Sequence, residues 1–198
     1  GLQKINHERW CYHMTKTFNE LINYLINPIL GEDTNHNFFY RCKVLLSLLW
    51  ISITISFLIS LVNGFLTSIG VLHEISHITD TLFEDSSGFK ILLLAAVIAP
   101  VMEELIFRAP LTLFKQARLF KIAFYVIGII FAYVHLFNFE LTTNVILFSP
   151  LLVAPQFFIG LIFGFIRVRF GLLWSIFLHS LYNGLLVSLF LLASNGNS

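Results

Sequence analysis

Apolar residues run almost unbroken through five stretches of the chain, at about 44–66, 91–113, 122–137, 144–166 and 171–193. Each lies near the roughly 20 residues that a helix needs to cross a bilayer, so the pattern predicts five membrane-spanning helices. The third stretch is short. Pro150 and Pro155 should break or bend the fourth, and the spacing of Gly160 and Gly164 permits a close helix–helix approach. Two other stretches are one-sided rather than uniformly apolar. Phe18, Leu21, Ile22, Leu25, Ile26, Ile29 and Leu30 recur at helical spacing opposite Asn19, Glu20, Asn23 and Asn27, which predicts a helix lying on the membrane surface. Residues 71–83 repeat the pattern with Val71, Leu72, Ile75, Ile78 and Leu82. The expected fold is therefore all-α, with residues 1–43 as a cytoplasmic or interfacial segment and 44–193 as a transmembrane helical domain.

Composition agrees with a membrane protein. The 198 residues are 57% hydrophobic and 12% charged, with 22 phenylalanines and a formal net charge of +1; mean hydropathy is +0.83. A soluble domain carries roughly 25% charge, so a soluble core is excluded, and without a basic run nothing suggests nucleic acid as a partner. Cys11 and Cys42 are too few for a disulfide framework. Gly1 as first residue leads us to expect processing or missing residues before it, and the first 30 residues lack the pattern of a cleaved signal. Basic and non-basic connections alternate. Lys4, Arg9, Lys16, Arg41 and Lys43 precede the first stretch, and Glu74, Asp80, Glu84 and Asp85 follow it. Lys115, Arg118 and Lys121 come next, then Glu140, then Arg167 and Arg169, then an uncharged tail. The excess of Lys and Arg on cytoplasmic loops places the N-terminus inside and the C-terminus outside. The Phe-, Ile- and Asn-rich composition points to an AT-rich bacterial genome, and so to the bacterial inner membrane.

Three charges interrupt the second apolar stretch: Glu103, Glu104 and Arg108. Each ionised group at membrane depth costs at least about 2.5–3.5 kcal/mol, so such groups usually face a polar interior and serve a function. Glu104 and Arg108 are one helical turn apart and can pair, whereas Glu103 points about 100° away from Glu104. Arg108 therefore neutralises Glu104 better, leaving Glu103 as the candidate general base. A buried ionic staple between helices is the structural alternative. The third stretch adds His135, and the fifth adds His179 and Asn183, which share one helix face. Measured from the basic loops at a 1.5 Å rise, Glu103 lies ~18 Å deep, His135 ~21 Å, His179 ~15 Å and Asn183 ~21 Å. Four polar groups on three helices thus reach one layer. A carboxylate beside an imidazole can deprotonate a water, and a second imidazole with an amide can donate to an oxyanion. The set holds no Ser or Cys nucleophile partnered with a base, so water is the expected attacker and peptide-bond hydrolysis the expected reaction.

The motifs EELIFR, FAYVH and HSLYN follow the patterns E-E-x-x-x-R, F-x-x-x-H and H-x-x-x-N, in that order on successive helices. In this the chain resembles the CAAX protease and bacteriocin-processing (Abi) family of intramembrane proteases, which includes the type II CAAX prenyl endopeptidases. The resemblance covers roughly residues 90–190. It implies that Glu103 and His135 activate the water, that His179 and Asn183 form the oxyanion hole, and that Glu104 and Arg108 support Glu103. It also implies a peptide or protein substrate, membrane-anchored in one branch, and bacteriocin processing or self-immunity in another. The site is expected to open toward the cytoplasm. Members are often labelled metalloproteases, yet the favoured chemistry requires no cofactor; two His and a Glu also make a plausible zinc set, so zinc stays an alternative.

His73, Glu74 and His77 form an H-E-x-x-H string, in which two His bind zinc and the Glu acts as base. The acids nearby come too soon for the usual third ligand, and the three residues equally fit the polar face of the 71–83 helix. Beside the peptidase reading stand this zinc-peptidase reading, a non-catalytic membrane immunity or partner-binding protein, and a proton-coupled carrier. Five spans without an inverted repeat speak against the carrier.

Overall fold

The computed structural model describes residues 2–72 and 87–195. His73, Glu74 and His77, and most of the 71–83 stretch, lie outside the described residues.

The chain is an all-α integral membrane protein. Helix α1 spans Leu2–Ile26 and α2 spans Phe38–Ser68. A broken run follows: α3 (Gly88–Leu93), a π-helical turn (Leu94–Ile98), α4 (Ala99–Phe107) and a 3-10 turn (Ala109–Leu113). Then come α5 (Ala117–Val134) and a 3-10 turn (His135–Asn138). The short α6 (Thr143–Leu147) and α7 (Ser149–Leu152) lead to α8 (Ala154–Phe170) and α9 (Leu172–Asn195).

Among the described residues, three helices are long and apolar enough to cross a membrane: Phe38–Ser68, Ala117–Asn138 and Leu172–Ala193. The other two apolar stretches are helical too, but in pieces: residues 88–107 run as α-helix, π-helical turn and α-helix, and the fourth stretch divides into α6, α7 and α8. Pro100 falls where the π-helical turn gives way to α4, Pro110 in the 3-10 turn after it, and Pro150 and Pro155 in the first turns of α7 and α8, each where a backbone donor is missing. The breaks foreseen at Pro150 and Pro155 fall where α7 and α8 begin.

Packing centres on α8. Its Ile159, Ile162, Phe163 and Ile166 share a core with Val44, Leu48 and Ile51 of α2 and with Leu178 of α9. Against α5, α8 approaches through glycine: a Cβ on Gly128 would meet Leu161 at 2.8 Å, and one on Gly164 would meet Phe124 at 2.7 Å. The Gly160–Gly164 pair therefore packs within the chain. Gly171, at φ +103°, turns α8 directly into α9, a conformation that favours glycine.

Helix α1 joins the same core through Leu21, which is 1% exposed, while Phe18, Ile22 and Ile26 stay exposed. Its apolar stripe is thus divided between the bundle and the outside. Helix α2 begins at Phe38, capped by the Asn37 side chain accepting from the Tyr40 N–H. Arg169 of α8 ties this region together. It donates to Glu20 at 2.6 Å, to Asp33, and to the Tyr40 hydroxyl at 2.9 Å. Burial pushes the Asp33 carboxyl up, but the Asn35 N–H and the Arg169 and Tyr40 donors outweigh it and hold the group below the usual carboxylate range.

Candidate active site

Adjacent positions on α4 point about 100° apart, and the two glutamates accordingly meet different surroundings. The Glu104 side chain is fully buried, whereas Glu103 keeps 26% of its surface. Glu104 Oε1 lies 2.9 Å from His179 Nδ1 and 3.7 Å from Arg108 Nη1, and its other oxygen accepts from the Ser175 hydroxyl. Ser175 Oγ also lies 3.0 Å from the Phe163 carbonyl. Glu104 is therefore held by groups on its own helix and on α9.

Arg108, 1% exposed, is enclosed by aromatic rings and a glycine. Its guanidinium sits 3.8 Å from the Phe131 ring centroid, and Nη2 donates to the Gly160 carbonyl at 3.1 Å. A Cβ on Gly160 would stand 2.7 Å from the Phe131 ring and 3.0 Å from Arg108 Nη2, so the contact requires glycine. Arg167 closes the arrangement from α8, donating to the Arg108 carbonyl at 3.1 Å and to Thr112 Oγ1 at 3.0 Å. A cation at a helix C-terminus also complements the helix dipole.

Glu103 faces two imidazoles. Its Oε2 lies 3.8 Å from His135 Nε2 and 3.7 Å from His179 Nε2, and this oxygen is buried without a hydrogen-bond partner. Both rings are fixed by their other nitrogen: His135 Nδ1 sits 2.7 Å from the Phe131 carbonyl, and His179 Nδ1 sits against Glu104. A carbonyl and a carboxylate only accept, so each Nδ1 carries its proton and each Nε2 is the nitrogen turned to Glu103. Phe163 stacks on the His179 ring at 4.4 Å with the planes 26° apart.

Glu103, His135 and His179 line a cavity of about 680 Å³, and Asn183 lines it as well. The cavity continues to Lys90, Asn138, Gln156, Leu186 and Val187. These residues lie toward the end of the bundle away from Arg118, Lys121, Arg167 and Arg169. At the basic end Phe120, Phe124, Leu161 and Val168 fill the space between α5 and α8, while at the other end the short α6 and α7 leave room.

Asn183 is placed differently from the other three. Its Nδ2 donates to the Ala95 carbonyl in the π-helical turn at 2.9 Å, so one amide hydrogen is committed to the protein. Among the described residues, no three His, Cys, Asp or Glu side chains are placed together to hold a metal ion. Sequence reasoning missed Ser175 and Phe163. Ser175 had a visible signal, since it precedes His179 by one helical turn on the same face; Phe163 did not stand out among so many phenylalanines.

Comparison with known proteins places the chain in a family. Residues 85–185, just over half of the chain, match the family described as type II CAAX prenyl endopeptidase Rce1-like. No curated protein and no solved structure matches the chain. The matched range holds Glu103, Glu104, Arg108, His135, His179 and Asn183. The chain belongs to the type II CAAX prenyl endopeptidase Rce1-like family, membrane proteases that act on peptide substrates.

Proposed function

We propose that this chain hydrolyses a peptide bond within the membrane, using a water activated by Glu103 and His135. The observation that carries the reading is the convergence of Glu103 Oε2 with the Nε2 atoms of His135 and His179 on the cavity wall. Their separations are too long for direct hydrogen bonds and suit a water lying between them. Glu103 accepts a proton from that water as its oxygen attacks the scissile carbonyl, with His135 Nε2 accepting the second hydrogen and fixing the attack direction. His179 and the remaining Asn183 N–H face the oxyanion that develops. His179 can donate there only as an imidazolium, because Nδ1 is already directed at Glu104, and the Glu104 carboxylate stabilises that cation. Glu103 then returns its proton to the leaving nitrogen, the second water hydrogen passes from the new carboxyl group to the amine, and the products are a carboxylate and an ammonium group.

The substrate is a peptide or protein segment, membrane-anchored, entering the cavity from the end lined by Lys90 and Leu186. These steps use no zinc. The test is reconstitution in liposomes with prenylated and unprenylated membrane-anchored peptides in H2-18O, with products read by mass spectrometry. The reading predicts one heavy oxygen in the new carboxylate, unaffected by chelators or by serine- and cysteine-directed reagents. An intact substrate pool would favour the non-catalytic immunity or partner-binding role, and loss of cleavage with chelator would favour zinc.

A further inference from the structure

A proline inside a helix strands the carbonyl that its missing N–H would have bonded. Pro100 sits at the second position of α4 and is buried. The turn before it is wound in the π register, since the Ala99 N–H reaches back five residues to the Leu94 carbonyl. One step on, the N–H of residue 100 would bond the Ala95 carbonyl, and proline has none. Asn183 of α9 supplies the donor instead, its Nδ2 lying 2.9 Å from that oxygen. The orientation of the Asn183 amide is thus tied to the carbonyl that a residue 83 positions earlier in the chain leaves without a backbone donor.

We infer that Pro100 is the positioning residue for Asn183: the carbonyl it strands anchors one amide hydrogen and so aims the other at the cavity. The two residues form a matched pair between α4 and α9, and either alone is defective. π-Helical turns of this kind recur at functional sites, and here the turn exists where a proline and a site amide must meet. The aiming role rests on the peptidase reading above; the pairing itself does not.

Four proteins test it: wild type, P100A, N183A and P100A/N183A, each assayed for melting temperature in detergent and for kcat and KM on the cleaved peptide. In the P100A background the N–H of residue 100, or of Ala99 if the turn relaxes to α, covers the Ala95 carbonyl. N183A is therefore expected to lower the melting temperature in the wild-type background and to leave it unchanged beside P100A. P100A alone should keep its fold and KM but lose roughly tenfold or more in kcat, as expected when an oxyanion donor is misaimed. An equal loss of melting temperature from N183A in both backgrounds would overturn the pairing. Wild-type kcat in P100A would overturn the aiming role. A wild-type protein that cleaves nothing would remove the peptidase reading alone, and the melting temperatures would still decide the pairing.

Discussion

His179 Nδ1 lies 2.9 Å from Glu104 Oε1, and this bond decides which nitrogen of the ring is turned toward Glu103. Two neighbouring carboxylates on α4 thus flank the same imidazole: Glu104 is bonded to it, and Glu103 Oε2 stands 3.7 Å from its other nitrogen. One is fully buried and braced by Ser175 and Arg108; the other lies on the cavity wall.

Replacing Glu104 separates bracing from folding. Glu104→Gln keeps a side chain of the same size but removes the charge that holds the His179 ring and Arg108. We expect kcat to fall ~10–100-fold, as for other partners that orient a site imidazole. Glu104→Ala leaves the Arg108 guanidinium buried without its counter-charge, a loss of about 3–5 kcal/mol. Thermal melts in detergent beside peptide-cleavage rates distinguish the two effects.

Ser175→Ala removes a hydroxyl that serves the Glu104 carboxylate and lies against the Phe163 carbonyl. A buried acceptor left short of a donor costs about 1–3 kcal/mol, and the same change should lower kcat by loosening His179. Ser175→Thr, which keeps the hydroxyl, should recover most of the kcat. Equal kcat in wild type and Ser175→Ala would show that Ser175 acts in packing alone.

Gly160→Ala should destabilise the protein by about 1–3 kcal/mol, the usual cost of overfilling a packed interior. The new methyl would displace the Phe131 ring and the Arg108 guanidinium together. Gly64→Ala is the control, because a Cβ there meets nothing within 4 Å. Equal melting temperatures for the two variants would contradict the packing described around Arg108.

Asp33 lies at the basic end, outside the spanning helices, and its carboxyl is held below the usual range in the folded protein. A lowered folded pKa means that the stabilisation is present above the unfolded value near 3.9 and is lost as pH falls through the folded value. Between pH 7 and 5 the contribution is constant; it disappears only in strong acid. Asp33→Asn should lower the melting temperature at pH 7 and flatten the acid limb of the stability profile. An unchanged acid limb would show that the Arg169 cluster does not couple to folding.

Much of the site could be read from the sequence, because charge in an apolar run is conspicuous and helical spacing assigns faces. Glu104 and Arg108 were expected on one face and pair at 3.7 Å; Glu103 was expected to point elsewhere and does. Counting rise per residue also placed Glu103, His135 and His179 in one layer, where the structure brings them within 3.7–3.8 Å. Other features depended on partners that spacing cannot identify. Pro100 reads locally as a bend, but the π register and the Asn183 bond depend on where α9 passes. The breaks at Pro150 and Pro155 were legible, because a proline's missing donor is a local property of the sequence. The extent of the cavity was not legible. It is set by which parts of α5 and α8 are filled by side chains, such as Phe120, Phe124, Leu161 and Val168, and spacing alone does not identify those partners.

The most direct measurement is the cleavage rate of Glu103→Gln against wild type, in liposomes, with both proteins matched for melting temperature. Loss of a general base costs roughly 10²–10⁴-fold, and the account predicts a loss in that range with the fold intact. A Glu103→Gln protein that cleaves at the wild-type rate would contradict the assignment of Glu103 as the residue that activates water.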